Sequence, residues 1–283
     1  MNKVMILVDS TCDLSKEMIA GKNVTIVPLT VNFSDESFHD GVDITTKELY
    51  AKVAQKGELP KTAAITIGEI YAYFEKYLEE GYDIVYTGIS STMSKSYENA
   101  VMTAQEFPEG RIEVVDSQNL SSGIGLVVLK ACEWIEQGKD VHEVANLMRE
   151  TIPYVRSQFV VDTMEYLHKG GRCSGVAKLF GTILKIKPII AVREGRMGVA
   201  AKPRGNTKVA LDTLLDMFKE DCQNIDTDRI FITHSMAEES YSYLKEKVSE
   251  IRPDVPTVEA KAGCIISTHC GPGTIGILYI LNH

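Results

Sequence analysis

The sequence is short of positive charge and has no long hydrophobic run. Its 283 residues carry 30 Lys and Arg against 39 Asp and Glu, a formal net charge of −9. Nucleic acids and anionic membranes attract clustered basic residues, so this balance argues against both as partners. Apolar stretches such as 123–129 and 275–281 are far shorter than the ~20 residues of a bilayer-spanning helix. We therefore expect no signal peptide, no integral membrane segment and a cytoplasmic location.

Cysteine pairs and the commonest catalytic signatures are also missing. No P-loop, H-E-x-x-H or G-x-S-x-G motif occurs, which argues against a P-loop kinase, a zinc protease and an α/β-hydrolase. We expect reduced thiols, no metal site and no cofactor, because no C-x-x-C pair or zinc-type spacing links the cysteines, which are Cys12, Cys132, Cys173, Cys222, Cys264 and Cys270.

A G-x-G-x-x-G match near the C-terminus lacks the context of a dinucleotide site. It comprises Gly271, Gly273 and Gly276, and only seven residues follow it. A dinucleotide site needs a helix after the glycines and an acidic residue about 20 positions further on. The segment therefore predicts a tight turn that leads into a final strand.

Strand-like and helical segments alternate in the first half of the chain. Capping-box pairs begin two helices, at Thr45 with Glu48 and at Thr66 with Glu69, and Gly57 is placed to end the first. Another helix is expected over 94–107 and one over 121–137. This alternation predicts a parallel sheet with helices on its faces, with strands at 3–8, 24–31, 83–89 and 111–116.

The pattern changes in the second half. The segments 185–192 and 197–202 flank Glu194, Gly195 and Arg196, which is typical of an antiparallel hairpin. Helices at 206–220 and 238–251 and strands at 157–162 and 229–234 complete an α+β layer sandwich. The length suits two domains. We predict an α/β fold, with a parallel-sheet α/β/α domain over 1–154, an α+β domain over 155–283 and a ligand tunnel between them.

Three polar residues are candidates for a site in that cleft. Thr62 and Ser94 precede predicted helices, where a hydroxyl usually acts as an N-cap. His269 lies in a polar, turn-rich segment predicted to be a loop. If the three are neighbours, two hydroxyls and an imidazole can hold one carboxylate without a permanent positive charge. Two arginines, Arg172 and Arg204, are displayed beside turns and could bind a phosphate or an acidic partner, although solvated surface charge is the more frequent explanation.

Eight segments, in this order along the chain, resemble the DegV family of bacterial fatty-acid-binding proteins, which includes the FakB carriers. No single motif is very specific, but their order is, and together they span essentially the whole chain. The segments are 8–14 (VDSTCDL), 40–44 (DGVDI), 60–62 (PKT), 89–94 (ISSTMS), 115–117 (VDS), 167–172 (LHKGGR), 186–189 (IKPI) and 271–273 (GPG).

The resemblance implies a lipid carrier without catalysis of its own. A long-chain fatty acid such as palmitate, stearate or oleate would lie between the two domains. Thr62 and Ser94 would hold its carboxylate, with His269 nearby. Arg172 and Arg204 match arginines at the surface where a partner, an ATP-dependent fatty acid kinase, approaches to make the acyl phosphate used in phospholipid synthesis. Apolar residues of the segment 176–190 are candidates for the tunnel wall, although core packing explains them equally well; they include Leu179, Phe180, Ile183 and Leu184.

Two segments depart from the family pattern. The family commonly has Thr-Ser-Gln-Pro-Ser after the Pro-Lys pair, whereas residues 63–66 here are Ala, Ala, Ile and Thr. Its Leu-Ser-Gly-Thr-Tyr becomes Met, Ser, Lys, Ser and Tyr over 93–97. The rim of the carboxylate site is therefore altered at 63–66 and 95–96.

The competing hypothesis is a phosphotransferase or hydrolase that uses Ser94 or Cys270 with His269.

Overall fold

The computed structural model describes residues 3–171 and 186–282. Its strands are β1 (Lys3–Asp9), β2 (Val24–Val27), β3 (Thr30–Asn32), β4 (Ser37–His39), β5 (Lys61–Ala63), β6 (Tyr82–Gly88), β7 (Ile112–Asp116), β8 (Val155–Val160), β9 (Ile189–Arg193), β10 (Arg196–Ala201), β11 (Ile230–Ser235), β12 (Thr257–Lys261) and β13 (Thr274–Ile280). Its helices are α1 (Thr46–Lys56), α2 (Ile67–Glu79), α3 (Ser96–Ala104), α4 (Ser122–Glu136), α5 (Val141–Thr151), α6 (Glu165–Lys169), α7 (Thr207–Asp221), α8 (Glu238–Ile251) and α9 (Cys264–Cys270).

The first half forms a parallel sheet in the order β2-β1-β6-β7. Alternate residues of β1 point to opposite faces. Val4, Ile6 and Val8 pack with α4 and α5, whereas Met5 and Leu7 pack with α2 and α3. The parallel α/β/α arrangement expected from the sequence is therefore confirmed.

A mixed sheet organises the second half, in the order β10-β9-β8-β13-β11-β12. Every pair in it is antiparallel except β11 with β12. One face packs against α7 and α8. Helix α4 of the first half packs against both sheets, so the halves share an interior. The second sheet domain is confirmed; the boundary at 154 precedes β8 and stays a prediction.

The segment 24–31, predicted to be one strand, is two. It divides at Pro28, which has no backbone N–H to donate to a sheet. The first piece, β2, pairs with β1 in the parallel sheet. The second piece, β3, lies between β4 and β5 in a small antiparallel sheet. That small sheet carries Thr62.

Two capping boxes are present as predicted. The side chains of Thr45 and Thr66 accept hydrogen bonds from the N–H groups of Glu48 and Glu69, whose carboxylates bond back to the cap residues. A third box, formed by Asp140 and Glu143, begins α5, a helix that the sequence analysis above leaves unassigned. Local spacing is enough to begin these helices.

Candidate carboxylate-binding site

Thr62 is the middle residue of β5 and faces the interior between the two halves. Its register partner in β3 is Val31. Successive side chains of a strand alternate between faces, so Lys61 and Ala63 are exposed while Thr62 is partly buried. The strand thus directs one hydroxyl inward.

Ser94 ends a loop that follows β6 and is anchored from two directions. Asp116, at the end of β7, accepts a hydrogen bond from Ser91 N at 3.1 Å. Ser90 Oγ donates to the carbonyl oxygen of Gly195 in the second half at 2.9 Å. The helix expected over 94–107 begins only at Ser96, and Ser94 Oγ accepts from Ser96 N at 3.2 Å. Ser94 therefore ends a fixed loop instead of capping a regular helix.

His269 lies in the last turn of α9, not in the loop expected from the sequence. Its Nε2 is 2.8 Å from Thr62 Oγ1, which joins two residues 207 positions apart. The local sequence does not predict this helix, because it contains β-branched residues of low helix propensity and is followed by a Gly-Pro-Gly turn. The turn predicted at 271–273 does lead into the final strand, β13.

Thr62, Ser94 and His269 line one small cavity, called here the first cavity. All three are partly buried, so this end of the cavity is close to solvent. The rest of its wall is mainly apolar and comes from both halves of the chain, through Leu29, Ala63, Ala64, Ile89, Met93, Leu120, Leu167, Met197, Ile265, Ile266 and Cys270.

A second cavity lies next to the first. The two share Leu120, Ile266 and Cys270 as walls, and the second extends past Phe159 and Leu278. Their volumes are about 40 and 30 Å³, below the ~300–1,000 Å³ of a typical ligand pocket. A long ligand would therefore have to displace lining side chains. Methionine is well suited to such movement, because its side chain is unbranched and adaptable.

The β9–β10 hairpin covers the first cavity. Its two-residue turn has positive φ at Glu194 (49°) and Gly195 (77°), as a type I′ turn requires, so the hairpin predicted from the sequence is confirmed. The turn carbonyl of Gly195 accepts from Ser90, and Met197 of β10 lines the cavity. The hairpin thus connects the Ser94 loop to the second half.

Gly170 fixes the ring of His269 from the side opposite Thr62. A Cβ atom at Gly170 would lie 2.3 Å from His269 Nδ1 and 3.0 Å from the Tyr166 carbonyl oxygen. Only glycine leaves room for the imidazole here. The close approach holds the ring where its Nε2 meets Thr62.

The site offers neutral hydrogen-bond donors in the wall of a largely apolar cavity. A carboxylate is an acceptor with two oxygens, and hydroxyls and an imidazole N–H can satisfy it. Charge-assisted bonds of this kind are stronger than those between neutral groups. The arrangement suits an amphipathic acid whose tail is apolar.

The geometry does not favour nucleophilic catalysis. His269 bonds to Thr62, whereas Ser94 Oγ lies 3.0 Å from Ser96 Oγ. Burial raises the pKa of the Cys270 thiol to about 12, and the charge of Asp13 adds to the effect. A reactive cysteine needs the opposite shift, because the thiolate is the nucleophile.

Comparison with known proteins identifies the family. The family model described as "Uncharacterised protein, DegV family" matches residues 3–282. The chain belongs to the DegV family. It is 34% identical over 280 residues to a DegV domain-containing protein of Clostridium acetobutylicum, covering 99% of each chain.

Solved structures of DegV proteins share the whole fold. The match to a DegV family protein of Thermus thermophilus described by its fatty acid binding has a TM-score of 0.93 at 31% identity, covering 99% of this chain and 100% of that one. A stearic-acid-binding protein of Eubacterium ventriosum matches with a TM-score of 0.88 at 28% identity, covering 99% and 98%.

Several residues of the DegV-like segments hold loops in place, a role that the sequence reasoning missed. Asp9, at the end of β1, accepts from Ile89 N at 3.0 Å and so joins the ends of β1 and β6. Asp116 and Gly170 act on Ser91 and His269 as described above. The available signal was position, because Asp9 and Asp116 directly end strands of a parallel sheet, where loops form the ligand crevice.

The arginine predictions have different outcomes. Arg204 is exposed and pairs through its backbone with Ile186. Arg172 lies outside the described residues, as do Leu179, Phe180, Ile183 and Leu184, the predicted tunnel-wall residues. Within 3–171 and 186–282, no helix combines the length and apolar composition that a membrane crossing requires.

Proposed function

We propose that this DegV protein binds a long-chain fatty acid. Its carboxylate would be held by Thr62, Ser94 and His269, and its acyl chain would lie along the first and second cavities. The observation that carries the proposal is that these three groups, from distant parts of the sequence, line one otherwise largely apolar cavity. The fatty-acid-binding relatives with the same fold support it.

Apolar burial would provide most of the affinity. Each buried CH₂ contributes ~0.8 kcal/mol, so burying most of a sixteen-carbon chain supplies ~10 kcal/mol before ordering costs. The head group then needs only to have its hydrogen bonds satisfied. Saturated acids such as palmitate and stearate, and bent ones such as oleate, are all candidates.

The chain would act as a carrier, with catalysis in a partner. We propose that an ATP-dependent fatty acid kinase transfers the γ-phosphoryl group of ATP to the bound carboxylate, giving acyl phosphate and ADP for phospholipid synthesis. Partial exposure of Thr62, Ser94 and His269 supports access to the head group. Phosphoryl transfer depends largely on positioning and charge neutralisation. Arg204 and Arg172 remain the proposed docking residues for the kinase.

Ligand identity can be tested by denaturing the purified protein, extracting it into organic solvent and analysing the extract by mass spectrometry. We expect a stoichiometric C14–C20 fatty acid. Recovery of polar metabolites alone would overturn the proposal. So would an empty extract combined with no rise in Tm after fatty acid is added.

The carboxylate site can be tested with the double variant Thr62→Val and Ser94→Ala. Because a hydrogen bond to a charged group contributes ~1.5–3 kcal/mol, we expect the Kd for stearate to rise at least tenfold. The matched control is Thr213→Val with Ser242→Ala, whose hydroxyls bond only to their own helices. Equal affinities of the two double variants would place the carboxylate elsewhere.

Docking can be tested with Arg204→Ala in an assay of acyl phosphate formation by a bacterial fatty acid kinase with ATP. We expect unchanged fatty acid affinity and slower phosphorylation. Arg149→Ala, an exposed arginine on α5, is the control. Normal phosphorylation of the Arg204 variant would remove Arg204 from the docking surface.

A further inference from the structure

Three carboxylates are buried together in the first half, outside the two cavities. Asp9, Asp13 and Asp40 are 0%, 8% and 4% exposed. Buried carboxylates are costly unless hydrogen bonds satisfy them. Two of these three direct their oxygens at the same target in the other half of the chain, the start of α9.

Asp40 accepts two hydrogen bonds from the first turn of α9. Its Oδ1 is 2.7 Å from Cys264 N and its Oδ2 is 3.3 Å from Ile265 N. Asp13 Oδ1 accepts from Gly263 N at 2.8 Å. The first N–H groups of a helix have no partner within it, and Gly263, the N-cap residue, has no side chain with which to cap them. Asp40 and Asp13 cap this helix from more than 200 residues away in sequence.

Helix α9 depends on this cap more than most helices would. It has only seven residues, Cys-Ile-Ile-Ser-Thr-His-Cys, with two isoleucines and a threonine of low helix propensity. A helix this short is not stable by itself. At 1.5 Å per residue, its two ends are only ~10 Å apart, so a shift at the first turn is transmitted to His269 in the last turn.

We propose that Asp40 is a positioning residue for the carboxylate site, fixing the start of α9 so that His269 meets Thr62. This inference rests on the proposed function, because it takes the site to bind a carboxylate. The hydrogen bonds that Asp40 makes to α9 do not depend on that function. Both oxygens of Asp40 accept from backbone N–H groups, so an amide cannot replace the carboxylate, because its NH₂ group has no lone pair to offer.

A supporting contact comes from Ser10, in the segment that follows β1. Its hydroxyl is hydrogen-bonded to Asp40 and also accepts from Leu29 N at 3.2 Å. Burial raises the pKa of Asp40, while bonds from Cys264 N, Ser10 and Ile265 N lower it. The pKa of Asp40 remains above its ordinary value, so the hydrogen bonds offset the effect of burial only in part.

The test compares Asp40→Asn with Asp140→Asn. Asp140 caps α5 through a single oxygen, Oδ1, which accepts from His142 N and Glu143 N at 2.9 Å each, and α5 carries no residue of either cavity. For each variant we would measure Tm, the Kd for stearate, and the side-chain ¹⁵N shifts of His269 without ligand, assigned with the variant His269→Gln.

We expect Asp40→Asn to lower Tm, to move the His269 ring shifts and to raise the Kd at least tenfold. Asp140→Asn keeps the one oxygen that caps α5, so it should leave Tm, the ring shifts and the Kd nearly unchanged. Unchanged ring shifts in Asp40→Asn would overturn the positioning role. If Asp40→Asn does not fold, Ser10→Ala replaces it, with a smaller ring shift in the same direction expected and no shift overturning the proposal. Failure of the wild-type protein to bind stearate would overturn the proposed function, while the ring shifts would still decide the role of Asp40.

Discussion

The two ends of α9 contact different kinds of partner. At its start, the carboxylates of Asp13 and Asp40 are buried and accept from backbone N–H groups. At its end, His269 is half-buried and pairs with the neutral hydroxyl of Thr62 beside a cavity. The first end has its hydrogen bonds satisfied within the protein, whereas the second keeps donors near solvent. One short helix thus joins a structural cluster to a candidate binding site.

The difference between the two ends of α9 shows that the aspartates in the family-like segments 8–14 and 40–44 do not indicate an acidic binding site. Asp9 and Asp40 lie at the ends of strands or in the loops that follow them, where ligands often bind in parallel α/β folds. Here they hold Ile89 and the start of α9. Their influence on a ligand would be indirect, through the loop and the helix that they hold.

The largest effect is expected from Gly88→Ala, beside the buried carboxylate of Asp9. A Cβ atom there would lie 2.2 Å from Asp9 Oδ2, so the buried carboxylate would have to move and lose its bond from Ile89. We expect unfolding free energy to fall by ~3 kcal/mol, measured by urea denaturation. Gly68→Ala in α2, with nothing within 4 Å of its Cβ position, is the control. Equal stability of the two variants would contradict tight packing around Asp9.

The next effect is a dependence of stability on pH. Burial raises the pKa of Asp13 to about 8 and that of Asp9 to about 6, from 3.8. Between pH 5 and 8 the unfolded chain has already released these protons, whereas the folded protein releases them only as pH rises. Stability therefore falls with rising pH across this window.

The measurement is urea denaturation at several pH values. Asp13→Asn should flatten the upper part of the curve, because an amide at this position can accept from Gly263 N and donate to the Ser121 hydroxyl. Asp35→Asn should leave the slope unchanged, since Lys56 lowers the pKa of exposed Asp35. A stability that did not change between pH 5 and 8 would show that the cluster is ionised throughout.

The smallest effect is expected from Gly170→Ala at the histidine end. The added methyl group would displace the His269 ring, and we expect stearate affinity to fall about tenfold, or ~1.4 kcal/mol, with little change in Tm. Gly198→Ala on β10, which has open space at its Cβ position, is the control. If Gly170→Ala lowered Tm strongly but left the affinity for stearate unchanged, the His269 end of α9 would have a structural role like that of its start.

The sequence was sufficient where a signal is local. The capping boxes at Thr45 and Thr66 span three residues each, and the hairpin turn at Gly195 is set by its own backbone preference. The alternation of strands and helices likewise predicted the parallel sheet. The one strand that was wrong, over 24–31, contains Pro28, whose effect on a sheet is itself local and could have been used.

Helix α9 and the site could not be obtained from local patterns. The residue that caps α9, Asp40, lies 224 positions before Cys264, and a β-branched sequence before a Gly-Pro-Gly turn gives no sign of a helix. Thr62, Ser94 and His269 were candidates from their polar positions beside predicted elements and from the family resemblance; their spacing contains no information that they are neighbours.

The sequence by itself determined the alternating elements, their local caps and the family to which the chain belongs, because each depends on short-range preferences or on ordered motifs. The tertiary structure alone decided that His269 is helical, that it meets Thr62, and that the three polar groups line one largely apolar cavity. These features depend on hydrogen bonds and packing between residues more than 200 positions apart, and folding of the whole chain is what brings such residues together.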